Sequence, residues 1–348
     1  MLFGYGISIS VQSTIINSEN AKISLAFLGN SCIIKGYKGQ KWMTCFCLQD
    51  ERYDLLTCTH EEVVIFMENH RKKEMQMDAY TSFAQVYDLF MDNVPYDAWA
   101  DYIRQWLMQE GISDGVLLDL GCGTGKMTRR MAASGYDMIG VDLSLDMLEI
   151  AREAEYEAFE EYEVPDFKED TEMNMEENGQ EAGILYLLQD MRELELYEPV
   201  LAIYSACDCL NYILEEEELF HVFFRVAEAL KPGGAFLFDM NTLYKYEELL
   251  ADHTFAENRD EGSFIWENDY DNKTQINEYD LTLYIAGEDG LYERFYETHY
   301  QRGYSSELVV SLLEKAGFTD IHVYDAYTKN PLLPESDRMT VTARKPEV

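Results

Sequence analysis

One short run of sequence limits most strongly what this chain can fold into. Residues 116–125 read VLLDLGCGTG, an apolar stretch of strand length that leads directly into a glycine-rich turn. A helix is predicted from about residue 126 to 134, and a second buried strand, over 136–144, contains Asp142 near its end. Glycines let the backbone pass close to a ligand, and a helix N-terminus offers unpaired N–H groups to it. The pattern therefore predicts a ligand-binding site where this turn meets a sheet.

The spacing of the glycines narrows the kind of ligand. Gly121, Gly123 and Gly125 form G-x-G-x-G, whereas a dinucleotide-binding fold uses G-x-G-x-x-G to admit a pyrophosphate. Lys126 stands where the last glycine of the dinucleotide pattern would be. Asp142 follows Gly125 by 17 positions, which suits a carboxylate that accepts both hydroxyls of a ribose. The spacing favours a nucleoside ligand other than a dinucleotide.

Strand and helix patterns alternate along most of the chain after residue 76. Further strands are predicted at 184–190, from 199 onward, and at 235–242, 321–327 and 338–344. Helices are predicted at 80–91, 98–108, 145–158, 214–230 and 305–318. Such alternation implies parallel βαβ units with right-handed crossovers, and hence an α/β fold with a doubly wound sheet. Residues 262–302 instead alternate apolar and polar residues around Asp-Asn and Glu-Asp-Gly turns, which is typical of antiparallel hairpins.

At this point the sequence resembles the class I S-adenosylmethionine-dependent methyltransferases. The resemblance rests on D-L-G-C-G-T-G at 119–125, V-D-L-S around Asp142, Q-D-M at 189–191 and L-K-P-G-G at 230–234. Within that class the chain is similar to small bacterial enzymes with Y-x-x-F-A-x-x-Y-D (80–88), D-x-L-N-Y (208–212) and H-x-Q-R-x-Y-S (299–305). The resemblance implies a Rossmann-like, mostly parallel seven-stranded sheet with an antiparallel β insert over the active site.

The resemblance also implies the cofactor and the residues that hold it. S-adenosyl-L-methionine would lie along the ends of strands one to four, and Asp142 would hold its ribose. Asp190 and Met191 would face the adenine, and Tyr80 and Tyr87 would close over the methionine end. The full set of cofactor-binding candidates is Asp119, Gly121, Cys122, Gly123, Gly125, Asp142, Leu143, Asp190, Met191, Tyr80 and Tyr87.

The substrate side of the site has weaker candidates. Asp208 and His299 are candidate catalytic residues, and Asn211, Tyr212 and Arg302 are candidate substrate-binding residues. Asp208 could instead cap the helical turn that follows it, and His299 could lie on the solvent face of a hairpin. The aromatic residues of 262–302 could wall a small-molecule pocket or pack that sheet on the core. Cys122, Cys207 and Cys209 are interpreted as small buried residues, because no basic neighbour would activate a thiol.

Two segments depart from the family pattern. Residues 153–182 contain 13 acidic residues and one lysine, which predicts a solvated loop. Residues 1–76 hold 8 basic and 8 acidic residues, so the whole net charge of −39 comes from the rest of the chain. We hypothesise that translation naturally starts at Met77, because the codons for Lys73 to Gln76 can include a ribosome-binding sequence. The alternatives are an accessory segment or a zinc module of Cys32, Cys45, Cys47, Cys58 and His60, whose spacing fits no standard site.

The domain prediction is therefore an N-terminal extension (1–76), a cofactor-binding core (77–241), an antiparallel flap (242–302) and the end of the core (303–348). The charge of −39 disfavours nucleic-acid and membrane-surface partners. Seven cysteines without a C-x-x-C pair, and the lack of a signal-peptide or membrane-helix pattern, predict a cytoplasmic protein. No metal site is predicted. The function predicted is methyl transfer to a small molecule; the alternative is a non-catalytic cofactor-binding protein that acts through a partner.

Overall fold

The computed structural model describes Asp88, residues 90–155, 183–287 and 289–347, together with the backbone of 156–160 and of four strands within residues 13–48. The chain divides into two units, Met1–Glu74 and Met75–Val348. Tyr80, Tyr87 and most of the acidic loop lie outside the described residues.

The first unit contains four antiparallel strands, each paired with the next along the chain. They are β1 (Ser13–Ser18), β2 (Ala21–Leu28), β3 (Ser31–Lys38) and β4 (Lys41–Leu48). The sequence pattern did not predict this sheet, because its apolar runs are short and lack a clear period. The side chains of the five zinc candidates lie outside the described residues, so the zinc alternative and the start at Met77 both stay hypotheses.

The second unit is built on a seven-stranded sheet, and the predicted fold class is confirmed. Its strands are β5 (Val116–Leu120), β6 (Asp137–Asp142), β7 (Leu185–Leu188), β8 (Val200–Ser205), β9 (Leu230–Asn241), β14 (Thr319–Asp325) and β15 (Arg338–Arg344). Their order is β14-β15-β9-β8-β5-β6-β7. The five strands from β9 to β7 are parallel, and β15 runs antiparallel to both of its neighbours.

Successive residues of the central strands enter two different clusters of buried side chains, so the sheet is covered on both faces. In β9, Phe236 and Phe238 belong to one cluster, while Ala235 and Leu237 belong to the other. The helices whose bounds the structure describes are α1 (Tyr96–Gln109), α2 (Lys126–Ala133), α3 (Leu145–Glu160), α4 (Glu216–Ala229) and α5 (Ser306–Lys315). Helices α4 and α5 contribute to the first cluster, and α1 and α2 to the second. This layering is what a doubly wound fold requires.

Several local signals act as predicted. The hydroxyl of Ser144 accepts a hydrogen bond from the backbone N–H of Met147, and that of Ser305 from Leu308, so both serines cap their helices. The helix predicted at 214–230 ends at Ala229 and is followed directly by a strand, because β9 begins already at Leu230 rather than at the predicted residue 235. Its pairing with β8 shifts register between Val200 and Ala202, which accommodates the extra residues as a bulge.

Among the helices that the structure describes, none is long and apolar enough to cross a membrane.

A separate antiparallel sheet interrupts the βα pattern between β9 and α5. Its strands pair in chain order: β10 (Thr254–Asn258), β11 (Gly262–Asp271), β12 (Ile276–Ala286) and β13 (Tyr292–Arg302). Strand β10 and a π-helical turn at Lys245–Leu250 were not predicted. Phe264, Trp266 and Phe295 pack around Leu281 and Leu283. The packing interpretation therefore holds for these aromatic residues.

Candidate active site

The glycine turn joins β5 to α2 along a path that favours glycine. The φ angles are +79° at Gly121, +53° at Gly123 and +73° at Gly125, all in the left-handed region. A Cβ on Gly121 would lie 2.8 Å from the Sγ of Cys209, and one on Gly125 would lie 2.6 Å from the hydroxyl of Tyr186. A Cβ on Gly123 would meet no described atom within 4 Å. Packing thus demands glycine at the two ends of the turn, while its middle borders open space.

The carboxylate of Asp142 is held in place by the backbone. The N–H of Gly123 donates to its Oδ2 at 2.8 Å, and the N–H of Ser144 donates to its Oδ1 at 2.9 Å. Burial raises the pKa of Asp142, while the backbone donors oppose that rise. The second strand therefore ends in a carboxylate of fixed orientation next to the glycine turn, as the spacing predicted.

Asp119 lies deeper, at the end of β5. Its side chain is almost fully buried, and its Oδ2 accepts hydrogen bonds from the hydroxyls of Thr128 at 2.6 Å and Tyr204 at 3.1 Å. Burial raises the pKa of Asp119 to about 7, although the two hydroxyls lower it and the charge of Asp142 raises it further. A ligand cation bound nearby would favour the ionised form of this carboxyl.

Asp190 follows β7 and is held by Arg192. The guanidinium Nη2 donates to Asp190 Oδ2 at 2.6 Å, and the backbone N–H of Arg192 donates to Oδ1 at 2.9 Å. Arg192 also forms an ion pair with Glu218 of α4 at 3.3 Å. These contacts fix the turn that carries Met191 and tie it to the helix layer.

These elements surround one cavity at the carboxyl ends of β5, β6, β7 and β8. Nine predicted residues line it: Asp119, Gly121, Cys122, Gly123, Asp142, Leu143, Asp190, Met191 and Tyr212. Predicted residues outside the lining are Gly125, Asp208, Asn211, His299 and Arg302. The cavity occupies the position that the sequence pattern predicted for a ligand.

Sequence reasoning missed other residues of the lining. They are Tyr96, Thr124, Lys126, Met127, Val141, Ser144, Met147, Gln189, Arg192, Ala206, Cys207, Cys209 and Ile213. Several of them immediately follow a predicted strand or turn, so adjacency to a motif was the available signal. Lys126 is an example, because it begins α2 directly after the turn and its Nζ lies 3.2 Å from Asp88 Oδ1. Tyr96, which begins α1, gave no such signal.

Asp208 does not cap the turn that follows it, so that alternative is wrong. Its side chain makes no capping hydrogen bond. Instead its Oδ1 accepts from Arg338 Nη2 at 2.7 Å, and its Oδ2 accepts from Gln301 Nε2 at 2.8 Å. Burial would raise the pKa of Asp208, but the charges of Arg338 and Lys245 lower it below its usual value. We therefore assign Asp208 to an internal ion-pair network rather than to the cavity.

Asn211 and Arg302 also bind other parts of the protein. Asn211 is fully buried, and its Nδ2 donates to the carbonyl oxygens of Asn241 and Arg302 at 3.2 and 2.8 Å. Its Oδ1 accepts from the backbone N–H of Asn241 at 2.9 Å. The guanidinium of Arg302 donates to the carbonyl of Leu214 and to Glu216, at 2.9 and 2.8 Å. Both side chains connect the loop after β8 with β13 rather than face the cavity.

We expect Asn211→Ala to lower the free energy of unfolding by roughly 2 kcal/mol, because buried backbone groups would lose their partner. Urea unfolding of the full chain measures the change. Asn93→Ala, at an exposed asparagine, is the matched control and should change stability little. Equal unfolding free energies for Asn211→Ala and the parent would contradict this assignment.

His299 is buried, so the alternative of a solvent-facing histidine is wrong. Its side chain is 2% exposed on β13, and its ring stacks on that of Tyr279, with centroids 4.9 Å apart. Its Nδ1 lies 3.3 Å from the hydroxyl of Tyr212, and its Nε2 lies 3.2 Å from Glu297 Oε2. His299 itself does not line the cavity, whereas Tyr212, which it contacts, does.

The three cysteines of the described residues have the environment of inert thiols. Burial raises the pKa of Cys122, Cys207 and Cys209 well above the usual value, and nearby carboxylates raise it further. A protonated thiol is a poor nucleophile. The interpretation of these residues as small packing groups is supported.

The fold and the cavity together define the class of protein. The sequence of residues 92–323 matches the model of a methyltransferase domain family. This range contains the glycine turn, Asp142 and the other residues that line the cavity. A relative from Geobacillus sp. (strain WCH70), named as a methyltransferase, is 35% identical over 267 residues, which cover 76% of this chain and 99% of the relative. YqeM of Bacillus subtilis (strain 168), also named as a methyltransferase, is 31% identical and covers 76% of this chain and 97% of its own.

A solved structure leads to the same class. The crystal structure of an S-adenosylmethionine-dependent methyltransferase from Clostridium acetobutylicum ATCC 824 superimposes with a TM-score of 0.64 at 26% identity, covering 77% of this chain and all of that one. The chain belongs to the class I S-adenosylmethionine-dependent methyltransferase family. Its cofactor is S-adenosyl-L-methionine, as the resemblance implied.

The residues of the cavity suit this cofactor. An oriented carboxylate at Asp142 offers acceptors for two ribose hydroxyls. Leu143, Met147, Met191 and Ile213 supply apolar lining for a purine. Asp119 and Asp142 are acidic groups of the lining, and a sulfonium cation bound beside them would favour their ionised forms. The two cations of the lining, Lys126 and Arg192, are each paired with a carboxylate, Asp88 and Asp190 respectively.

Proposed function

We propose that this protein transfers the methyl group of S-adenosylmethionine to a small-molecule acceptor by in-line displacement. The observation that carries the proposal is a single cavity that extends from the glycine turn and Asp142 to Tyr212. The hydroxyl of Tyr212 lies 2.5 Å from that of Tyr279 in the antiparallel sheet. An acceptor at this end of the cavity would lie next to that sheet, in a space suited to a compact molecule.

We assign the cofactor contacts from the lining residues. Asp142 binds the ribose hydroxyls, and the turn at Gly121 and Gly123 follows the methionine part. Met191 contacts the adenine, and Asp190 lies at the same end of the cavity as Met191. Tyr80 and Tyr87, which lie outside the described residues, stay predicted contacts to the methionine end.

The cofactor supplies a methyl group that its sulfonium already activates. The protein residues therefore have to orient the two partners and exclude water from the cavity. Asp142 and the glycine turn fix one partner, because their mutual hydrogen bonds leave little freedom of orientation. Tyr212 is the polar side chain placed to orient the other.

The charge of the chain supports a small acceptor over a nucleic acid. With 27 basic and 66 acidic residues, the net charge of −39 repels a phosphate backbone at long range.

The test is transfer of labelled methyl groups to a bacterial cell extract that is separated into low-mass, RNA and protein fractions. We expect label in the low-mass fraction, and several-fold less of it at subsaturating cofactor when Asp142→Ala replaces the parent protein. Asp137→Ala, at an exposed aspartate on the same strand, is the control and should keep the activity. Label confined to RNA or protein, or no transfer to any fraction, would contradict the proposal.

A further inference from the structure

We propose that Tyr212, His299 and Glu297 form a proton relay that takes a proton from the methyl acceptor, so that the acceptor is a hydroxyl or amine compound whose nucleophilic atom carries a proton at neutral pH. The inference rests on the proposed small-molecule function. Its basis is a chain of three polar side chains that begins in the cavity and ends inside the antiparallel sheet.

The chain is continuous in distance. Tyr212 lines the cavity, and its hydroxyl lies 3.3 Å from His299 Nδ1. The opposite ring nitrogen, Nε2, lies 3.2 Å from Glu297 Oε2. His299 and Glu297 are two positions apart on β13 and therefore point to the same face of the sheet. Three side chains from two separate elements thus form one line.

Two of the three side chains, His299 and Glu297, are buried. The exposed fraction is 2% for His299 and 7% for Glu297. Tyr279 stacks on the imidazole at an interplanar angle of 9° and lies directly opposite His299 in the register of β12 and β13. Tyr212, Tyr279 and Glu297 are titratable groups that contact this ring. The ring is thus held in one orientation between a phenol and a carboxylate.

The relay requires one assignment of donors and acceptors, in which the hydroxyl of Tyr279 donates to that of Tyr212, 2.5 Å away, and Tyr212 donates to His299. An ionised Glu297 only accepts hydrogen bonds, so Nε2 of His299 carries a proton. In the neutral imidazole Nδ1 is then an acceptor for the hydroxyl proton of Tyr212. A proton arriving at the oxygen of Tyr212 can therefore be matched by release of that hydroxyl's own proton to Nδ1, and Glu297 stabilises the imidazolium that results.

A lone pair of the acceptor oxygen or nitrogen forms the new bond to the methyl carbon, and the carbon–sulfur bond breaks with its electron pair left on sulfur. The proton of the acceptor passes to the oxygen of Tyr212, and the proton of Tyr212 passes to His299. No oxidant or further reactant is needed.

The first test needs no acceptor. Nitrogen NMR of the histidine side chains in the full chain, with S-adenosylhomocysteine bound, reads which ring nitrogen of His299 is protonated; His299→Gln assigns the signal among the six histidines. We expect Nε2 to carry a proton and Nδ1 to carry none. A proton on Nδ1 would overturn the relay, because that nitrogen could not accept a proton from Tyr212.

The second test uses the low-mass extract fraction as the probe. Tyr212→Phe and His299→Gln should each lower kcat by roughly 100-fold or more, while KM for S-adenosylmethionine stays unchanged. His322→Gln is the matched control, since this exposed histidine forms the same kind of pair, with Asp320 at 2.9 Å. Losses in cofactor affinity or folding with no separate loss of kcat would show a structural role and overturn the proposal.

The two tests separate the relay from the proposed function. Transfer to the low-mass fraction with normal kcat in His299→Gln would reject the relay and leave the proposed function standing. The absence of a labelled low-mass product would reject the proposed function instead. Chemical analysis of the labelled product distinguishes an O-methyl from an N-methyl group, and a product methylated on carbon or thioether sulfur would also overturn the inference.

Discussion

Replacing Asp142 with alanine should weaken S-adenosylmethionine binding at least tenfold and up to about a hundredfold, since two charge-assisted hydrogen bonds to the ribose would be lost. The carboxylate is already oriented by the backbone N–H groups of Gly123 and Ser144. Binding therefore requires no rearrangement of this side chain. The alanine variant loses both the ribose acceptors and the tie to the glycine turn.

Calorimetric titration with S-adenosylmethionine and S-adenosylhomocysteine measures the effect. Asp142→Asn keeps one acceptor oxygen for the backbone. It therefore separates the loss of the negative charge from the loss of the hydrogen bond to the glycine turn. Asp137→Ala, at the exposed start of the same strand, is the matched control and should bind normally. Affinity of Asp142→Ala equal to that of the parent would remove Asp142 from the site.

Replacing Asp119 with asparagine should make the protein more stable at pH 8, by up to ~4 kcal/mol. Burial raises the pKa of Asp119 from 3.8 to about 7 in the folded protein. At a pH between these two pKa values, the Asp119 carboxyl is ionised in the unfolded chain but still holds its proton in the folded protein. The free energy of unfolding therefore falls as the pH rises to about 7, and levels off above it. Asparagine does not titrate, so the variant escapes this loss.

Urea unfolding of the parent and Asp119→Asn at pH 5.5 and at pH 8 tests this expectation. About 2 kcal/mol of the difference between the two proteins should develop between these pH values. The asparagine oxygen can still accept from Thr128 or Tyr204, so the packing of the site is largely kept. Asp137→Asn is the exposed control. A stability difference that is the same at both pH values would contradict the raised pKa.

The sequence predicted the part of the site that is built from local signals. The glycine turn, the end of β6 and the cap at Ser144 each depend on a few consecutive residues. Backbone conformation and hydrogen bonding within such a segment follow from its own residue types. The parallel sheet then brings the ends of β5, β6 and β7 to one edge, which is why Asp119, Asp142 and Asp190 all reach the cavity.

The acceptor side was harder to predict because long-range partners decide where its side chains point. Asp208 and Asn211 come from the same loop as Tyr212, yet only Tyr212 lines the cavity. Arg338, 130 positions away, holds Asp208, and Asn241 holds Asn211. No local pattern contains this information. The contact of Glu297 with His299 likewise depends on the burial of this face of β13, which no local pattern reveals.

The most direct test of the account is a crystal structure of the full chain with S-adenosylhomocysteine. We predict that both ribose hydroxyls lie within hydrogen-bonding distance of the Asp142 carboxylate. The adenine should contact Met191, and the sulfur should face the end of the cavity that Tyr212 lines. A ligand bound elsewhere, or a ribose turned away from Asp142, would contradict the assignment of this cavity as the cofactor site.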